Sequence, residues 1–309
     1  MGPHDGRFAP SPSGPLHLGN LRTALVAWVR ARSAGGRFVM RVEDLDRGRS
    51  RPEHEERQLQ DLAALGIDWD GDVVRQSDRD PAYAAAVDRL RELDLVYPCW
   101  CTRAEIREAA GAPHGDAPEG AYPGTCAHLG AAARAAHEER GRPAALRVRA
   151  GAVRSTAVDA VRGEITAVVD DFVVRRGDGT HAYNLAVVVD DAWQDVTEVV
   201  RGDDLASSAP RQAWLATVLG HRAPTYMHVP LVLGPDGRRL AKRDGAVTLE
   251  DRLALGEDAD DVRSRMAASL GLCGPDERPT PAELVDRFDV SAVRGTGPLR
   301  WDPVTGPLA

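Results

Sequence analysis

Strand-like and helix-like patterns alternate over residues 7–100, and this alternation restricts the fold more than any other feature. "GRFAP" indicates a short strand, and "LGNLRTALVAWVRARSAGG" an amphipathic helix ended by glycine. "RFVMRVED" indicates a second strand, and helices are expected at "PEHEERQLQDLAALG" and "PAYAAAVDRLRELD". Such alternation predicts a parallel sheet with crossover helices, and therefore an α/β fold.

Residues 99–179 break this rhythm. "AAARAAHEERGRP" predicts a short helix, and "AALRVRA" and "ITAVVDDFVVRRGDG" predict strands of an inserted module. Alternation returns at "HAYNLAVVVDDAWQDVTEVVRGDDL", and from Thr248 onward the pattern is helical, with a capping box at Thr280 and Glu283. We expect a catalytic domain (1–98 and 180–237), an inserted module (99–179) and a C-terminal helical module (238–309).

The composition of the chain argues against several classes of function. The chain has 309 residues, a net charge of -8 and 43% hydrophobic residues, which argues against general nucleic-acid binding but leaves room for a local basic groove. No apolar run approaches the length of about 18 residues that a spanning helix needs, and the first residues do not resemble a secretory leader. We therefore expect a cytoplasmic protein with no membrane partner, and a monomer.

The stretch "RFAPSPSGPLHLGN" (residues 7–20), called the opening segment below, joins the first strand to the first helix. Its prolines, glycines and serines allow a ligand to approach bare backbone amides at a helix N-terminus, which favours an anion such as phosphate. His17 is a candidate donor to a phosphate oxygen that gains charge during a reaction. The spacing is not that of a Walker loop, so an ordinary turn before a helix is an equal alternative from these residues alone.

A second segment, "RLAKRDG" (residues 239–245), favours the phosphate site over the ordinary turn. "HLGN" and "RLAKR" together resemble the HIGH and KMSKS signatures of class I aminoacyl-tRNA synthetases. The resemblance runs through "RVEDLD", "DFVVRRGDGTHAYNLAVVVDDAWQDVTEVVRGDDL" and "APRQ", and is that of the glutamyl subclass. It implies a Rossmann-like catalytic domain.

The resemblance also implies activation of an amino acid by ATP with Mg²⁺. It makes His17 and Lys242 the catalytic residues. Asn20 at the last HIGH position keeps a hydrogen-bond donor, whereas Ala241 stands where serine is usual, which is expected to weaken the hold of the loop on phosphate. Because Lys242 is retained, activity is still expected. The implied ATP-binding residues are His17, Gly19, Asn20 and Lys242.

The same resemblance points to L-glutamate as the amino acid. Arginine suits a carboxylate because its planar guanidinium can donate two parallel hydrogen bonds. A carboxylate such as Glu43 can pair the ammonium. Each of these residues alone is more simply explained as an ordinary ion pair; their joint placement in matching motifs favours a glutamate site. The implied glutamate-binding residues are Arg7, Phe8, Ala9, Pro10, Ser11, Glu43, Tyr183 and Arg201.

Three of the four cysteines, Cys99, Cys101 and Cys126, lie within 28 residues. Close thiolates in a reducing compartment favour tetrahedral Zn²⁺ over disulfides. A fourth ligand is needed, and residue type and spacing make His128 and His114 candidates. Buried free cysteines are the alternative.

The Cys-x-Cys pattern with a later Tyr-x-x-x-Cys resembles the zinc site of the glutamyl-Q tRNA(Asp) synthetases. This resemblance makes Tyr122 the expected fourth ligand of a structural site, ahead of His128. Thr102 and Glu105 form a predicted capping box just after it. Cys273 is expected to be a small apolar residue.

About 65 residues follow the basic loop, so we expect no anticodon-binding domain. In this respect and in the zinc spacing, the chain resembles the glutamyl-Q tRNA(Asp) synthetases. The resemblance implies transfer of glutamate to the queuosine base at the wobble position of tRNA(Asp). A short glutamyl-tRNA synthetase charging an acceptor end, an inactive tRNA-binding paralogue and a pantothenate-synthetase relative are the alternatives. Candidates for contacting tRNA phosphates, with solvent-exposed arginines as the equal alternative, are Arg147, Arg149, Arg175 and Arg176.

Overall fold

The computed structural model describes residues 4–102, 104–106, 122–240, 247–302 and 306–308. The predicted residues Lys242, Ala241 and His114 lie outside these ranges.

The first three strands form a parallel sheet, as the sequence predicts. β2 (Phe38–Val42) pairs with β1 (Gly6–Phe8) on one side and β3 (Val74–Arg75) on the other. Between β1 and β2 runs α1 (Leu18–Ser33), and between β2 and β3 runs α2 (Pro52–Ala64). The α/β architecture with a parallel sheet is confirmed.

The later part of the α/β region contains a separate sheet that lies beside the first one. β9 (Glu198–Gly202) pairs in parallel with β10 (Thr225–Val229). The carbonyl of Asp5, just before β1, accepts hydrogen bonds from the amides of Thr197 and Glu198 at the start of β9, at 2.9 and 3.2 Å. The starts of β1 and β9 therefore lie side by side, and their carboxyl ends meet at the same edge. Further helices of this region are α3 (Asp80–Glu92), α5 (Tyr183–Trp193) and α6 (Ala209–Val218).

The inserted region divides between two sheets. β4 (Val96–Cys99), β5 (Ala145–Val148) and β8 (Val173–Arg175) form a separate antiparallel sheet, with α4 (Ala131–Glu139) between β4 and β5. β6 (Val153–Asp159) and β7 (Gly163–Val169) form a hairpin instead, and β6 meets β10 in parallel through the pair Asp159 and Tyr226. The hairpin thus extends the sheet of β9 and β10.

The C-terminal region packs its helices against α1. Arg22 is buried on α1 and donates hydrogen bonds to the Ser269 hydroxyl at 2.8 Å and the Pro230 carbonyl at 2.8 Å, joining the two regions. The predicted capping box of Thr280 and Glu283 is present. The helices are α7 (Leu249–Ala254), α8 (Ala259–Ala268), α9 (Pro281–Arg287) and α10 (Val290–Arg294).

The expectation that the pattern stays helical after Thr248 is wrong at the far end. β12 (Leu299–Asp302) pairs in parallel with β11 (Val232–Leu233), and β13 (Gly306–Leu308) pairs with β12. Pro298 prevents a helix from continuing through this stretch, and the strand allows Trp301 to be almost fully buried in the main core. Among the described residues, no helix is long and apolar enough to cross a membrane.

Candidate active site

The opening segment ends in a helix cap made by a histidine. Nδ1 of His17 accepts a hydrogen bond from the Asn20 amide at 3.2 Å, and the Asn20 side-chain oxygen accepts from the His17 amide at 3.4 Å. Because Nδ1 is an acceptor, this hydrogen bond assigns the ring proton to Nε2. Burial, followed by the charge of Arg239, lowers the pKa of His17 to about 4. His17 is therefore a neutral donor near pH 7.

Small residues and one buried glutamine shape the rest of this segment. A Cβ at Gly19 would lie 3.0 Å from two atoms of the His17 ring, so a side chain there would push the imidazole. The side-chain amide of Gln58, on α2, donates to the carbonyls of Ser11 and Gly14 at 3.0 and 2.6 Å. Gln58 thus holds the turn from within the protein, where it is 1% exposed.

The residues flanking the second signature segment meet the first. The Leu18 amide donates to the Val247 carbonyl at 2.7 Å, and His17 and Thr248 form an antiparallel bridge. On the other side, Arg239 pairs with Asp204 at 2.6 Å. Residues 240 and 247 both flank the part that contains Lys242, so the described ends of that segment lie beside the opening segment.

Arg7 and Glu43 come from neighbouring strands. Nη1 of Arg7, on β1, donates to the Val200 carbonyl at 3.0 Å. Glu43 directly follows β2, and its amide donates to the Pro10 carbonyl at 2.9 Å. Burial raises the pKa of the Glu43 carboxyl to about 7, against the opposing charges of Arg41 and Arg7. Glu43 is therefore close to its titration midpoint near neutral pH.

Arg201, near the end of β9, is held on three sides. Its Nε donates to His228 Nε2 at 3.1 Å, Nη1 to the Gln212 side-chain oxygen at 2.6 Å, and Nη2 to the Leu205 carbonyl at 3.1 Å. The guanidinium lies 5.0 Å from the Tyr226 ring centroid. It is 5% exposed and lines a cavity, and the three bonds use three of its five N–H groups.

A buried ion network supports these residues from behind. Arg41 is fully buried and pairs with Asp191 at 2.7 Å, Asp190 at 3.8 Å and Glu43 at 3.9 Å. Asp191 also lies 3.4 Å from Arg7 Nε. Burying charges is costly unless they are paired, so this network fixes geometry more than it adds stability.

One cavity of about 830 Å³ collects the predicted residues, and is called the first cavity below. Arg7, Arg201 and Glu43 lie at one part of its wall, and His17 lies at another, near Arg239. Of the predicted ATP- and glutamate-binding residues, those that line it are Arg7, Phe8, Ala9, Pro10, Ser11, His17, Gly19, Asn20, Glu43, Tyr183 and Arg201.

A second cavity, of about 950 Å³, adjoins the first. Ser11, Glu43 and Tyr183 line both. From there the second cavity extends to the inserted region, where Asp170 and Arg211 pair across its wall.

The predicted metal ligands meet beside this second cavity. The sulfurs of Cys99, Cys101 and Cys126 all lie within 4.8 Å of one another. The Tyr122 hydroxyl lies 3.4 Å from the Cys99 sulfur and 3.5 Å from the Cys101 sulfur. Tetrahedral zinc with bonds of about 2.3 Å requires sulfurs about 3.8 Å apart, so this donor set fits the ion. His128 is exposed and outside this group.

Arg147 belongs to the cysteine cluster and not to an exposed surface. Its Nε donates to the Cys99 sulfur at 3.2 Å, and its guanidinium lies 3.7 Å from the Tyr122 ring centroid. Arg149 donates to the Ala127 carbonyl at 3.3 Å, and Arg175 is half-buried. Of the four predicted phosphate contacts only Arg176 is exposed, and it lines the second cavity. The predicted capping box of Thr102 and Glu105 is present.

Sequence reasoning missed the buried partners: Gln58, Asp190, Asp191, Asp159 and His228. A signal existed for some of them. Gln58 stands on the apolar face of α2 in register with Leu62 and Leu65, and Asp190 and Asp191 interrupt the apolar run of α5. A polar side chain on a buried face needs partners, although its sequence position does not say which.

Comparison with known proteins identifies the family. Residues 5–292 match the family described as tRNA synthetases class I (E and Q), catalytic domain. The glutamyl-Q tRNA(Asp) synthetase of Nocardia farcinica is 60% identical over 92% of this chain and 89% of its own length. That of Symbiobacterium thermophilum is 47% identical over 93% of each chain.

Solved structures show the same fold. The glutamate tRNA ligase of Elizabethkingia meningosepticum, crystallised in complex with its amino acid, superposes with a TM-score of 0.81 at 26% identity. The match covers 96% of this chain and 67% of that one. This chain is therefore a class I aminoacyl-tRNA synthetase-like ligase that belongs to the glutamyl-Q tRNA(Asp) synthetase family.

Proposed function

We propose that this protein activates L-glutamate with ATP and transfers it to the queuosine base at the wobble position of tRNA(Asp). The observation that supports this most is the first cavity. Its wall combines two arginines suited to carboxylates, a carboxylate that can pair an ammonium, and a helix N-terminus suited to phosphate.

In the first step, a carboxylate oxygen of glutamate attacks the α-phosphorus of ATP. The bond from the α-phosphorus to the bridging oxygen breaks, and pyrophosphate leaves. Mg²⁺, when bound with ATP, would neutralise part of the phosphate charge. Arg7 and Arg201 hold the carboxylates of glutamate, and Glu43 pairs the ammonium. The backbone amides of the opening segment and His17 Nε2–H stabilise the charge that develops on the phosphates, and Lys242 stabilises the leaving pyrophosphate.

In the second step, a hydroxyl of the queuosine cyclopentene ring attacks the carbonyl carbon of glutamyl-adenylate. An ester forms, the hydroxyl proton is lost, and AMP leaves. The second cavity supports this step because it adjoins the first at Ser11, Glu43 and Tyr183, and is wide enough at about 950 Å³ for a nucleobase.

Zn²⁺ is proposed to bind Cys99, Cys101, Cys126 and Tyr122. Bound there, it would supply a structural cross-link, since four protein ligands leave no position for substrate. Arg147, which donates to the Cys99 sulfur, offsets part of the negative charge of the thiolates.

Transfer of labelled L-glutamate to purified tRNA(Asp), with and without queuosine, tests the proposal. Labelling should require queuosine. Periodate oxidation before the reaction should abolish labelling, because it cleaves the cyclopentene diol.

Terminal ribose is cleaved by periodate as well, so the labelled tRNA must then be digested. The label should be recovered on the anticodon nucleoside. Labelling of tRNA(Glu) at the acceptor end would instead show a short glutamyl-tRNA synthetase. Absence of both transfer and adenylate formation would leave a tRNA-binding protein.

A further inference from the structure

Arg201 depends on an acceptor that is itself a histidine. Nε of Arg201 donates to Nε2 of His228 at 3.1 Å, and both side chains are buried. An arginine side chain is always a donor and never an acceptor. Nε2 of His228 must therefore carry a lone pair, and the imidazole proton must be on Nδ1.

Asp159 fixes that proton. Oδ2 of Asp159 lies 2.5 Å from Nδ1 of His228 and also accepts from the His228 amide at 3.1 Å. Oδ1 accepts from the amides of Val161 and Arg162, at 2.8 and 2.7 Å. Burial opposes the charge of Asp159, but these hydrogen bonds, that of His228 foremost, hold the pKa of its carboxyl below the usual range. Three backbone amides thus donate to this carboxylate and favour its ionised form, which has no proton to donate, so it accepts from Nδ1–H.

The three residues connect separate parts of the chain. Asp159 ends β6, at the tip of the hairpin that joins the sheet of β9 and β10; His228 lies on β10 and Arg201 on β9. All three are at most 5% exposed. Of the three, Arg201 is the one that lines the first cavity.

We propose that His228 and Asp159 are positioning residues that fix Arg201 for the carboxylate of the amino-acid substrate, through a single imidazole tautomer. This inference rests on the proposed glutamate activation. If the imidazole proton were on Nε2 instead, Nε2–H would face the Nε–H of Arg201. Two donors would then lie opposite each other with no acceptor between them. Arg201 would then have to rotate, and its guanidinium would leave the orientation that it has in the wall of the cavity.

Two variants of His228 distinguish a role in positioning Arg201 from a role in packing alone. In His228→Gln, the side-chain oxygen can stand where Nε2 stood and still accept from Arg201. In His228→Asn, the shorter amide can replace Nδ1 toward Asp159 but leaves Arg201 Nε without an acceptor. His221→Asn, at an exposed histidine after α6, is the matched control.

Glutamate-dependent ATP–pyrophosphate exchange provides the readout, with tRNA(Asp) present. The wild-type protein must show exchange for the proposed function to stand at all, so that function and this inference can fail separately. His228→Asn should raise the KM for glutamate about tenfold to a hundredfold, as expected for a lost hydrogen bond to a charged group. Its KM for ATP should stay within about twofold. His228→Gln should restore most of the glutamate affinity.

Equal losses in the Gln and Asn variants, or no loss in either, would overturn the inference, as would equal changes in both KM values. ¹⁵N NMR of the histidine-labelled wild-type protein tests the tautomer directly, and the His228 variants serve only to assign its resonance. We expect a protonated Nδ1 and a bare Nε2 for the resonance that is absent from the spectra of both His228→Gln and His228→Asn. A protonated Nε2 in the wild-type protein would also overturn the inference, whatever the kinetics of the variants.

Discussion

At one end of the first cavity, the groups expected to bind the substrate are charged side chains held by ion pairs and hydrogen bonds. At the other end, they are mainly backbone amides. Arg7, Glu43 and Arg201 form the carboxylate end, where Arg201 alone makes three hydrogen bonds to protein acceptors. The phosphate end is the later part of the opening segment, residues 13–20. There His17 caps α1, and Gln58 holds the turn through backbone carbonyls.

The difference follows from what each end must recognise. A carboxylate of fixed geometry is selected by a guanidinium of fixed orientation, which requires a supporting network. Phosphate is recognised through amides and helix polarity, which any short, small-residue turn can supply. Substitutions at the carboxylate end should therefore change amino-acid affinity, and substitutions at the phosphate end should change the rate of activation.

The largest effect is expected at Arg201. Arg201→Lys removes the planar fork and leaves His228, Gln212 and the Leu205 carbonyl without their donor. The catalytic efficiency for glutamate should fall about a thousandfold, since breaking a buried charged hydrogen-bond network costs 2–5 kcal/mol or more. Glutamate-dependent ATP–pyrophosphate exchange measures it, and Arg89→Lys, on the exposed face of α3, is the control. A loss carried by the KM for ATP would contradict the division into two ends.

At the phosphate end, Gly19→Ala should lower kcat about tenfold to a hundredfold. The new Cβ would lie 3.0 Å from the His17 ring, and misplacement of a catalytic group by a fraction of an ångström to 1 Å is costly at this scale. The KM for glutamate should stay within about twofold. Gly130→Ala, where a Cβ meets nothing within 4 Å, controls for the added methyl group. A rise in the KM for glutamate without a change in kcat would contradict the division of the cavity into a carboxylate end and a phosphate end.

Glutamate affinity should fall with acid, because of Glu43. Burial, opposed by Arg41 and Arg7 and assisted by Asp190 and Asp191, raises the pKa of this carboxyl from 4.5 to about 7. Below pH 7 the free protein holds a proton that the substrate ammonium must displace, so affinity should drop by up to about tenfold per pH unit.

Calorimetric titration of L-glutamate between pH 5.5 and 8.5 measures this slope. Glu43→Gln should bind glutamate weakly at every pH and show no slope in this window. A flat profile in the wild-type protein would show that Glu43 does not pair the ammonium.

The smallest effect on activation is expected from Cys101→Ser, which acts at neither end of the first cavity. Loss of one thiolate should reduce bound Zn²⁺, measured by mass spectrometry of the purified protein. Exchange with glutamate should stay within about threefold, while transfer to tRNA falls more, since the cluster lies beside the second cavity. Cys273→Ser, a half-buried cysteine outside the cluster, should leave metal content unchanged. Equal metal content in both variants would exclude the proposed ligand set.

The sequence predicts the residues that face ligands better than the residues that hold them. Arg7, His17, Glu43 and Arg201 stand in short motifs, and the ends of parallel strands bring such motifs to one edge. Their supports come from distant positions: Gln58 from α2, and Asp159 from a hairpin tip that the sequence assigns to an inserted module. Such pairings depend on how the sheet closes, which local patterns do not encode.

Dependence on distant partners also explains why the sequence does not predict the C-terminal strands β12 and β13. Trp301 is an apolar residue in a short segment after two glycines and a proline, and nothing nearby distinguishes a strand from a loop. Its strand forms because β11 offers an edge about 65 residues earlier in the chain. The cysteine cluster is the opposite case, since three close thiolates predict a compact group wherever the module lies.

The central claim is that one cavity joins glutamate to ATP. ATP–pyrophosphate exchange by the wild-type protein, with and without tRNA(Asp), tests it most directly when L-glutamate, L-glutamine and L-aspartate are compared. We expect exchange that depends on L-glutamate and is at least about a hundredfold less efficient with the other two. Glutamine lacks the side-chain carboxylate that an arginine would bind, and the shorter side chain of aspartate would not bring its carboxylate to the same arginine. No exchange with any of them, or equal exchange with glutamine, would contradict the account.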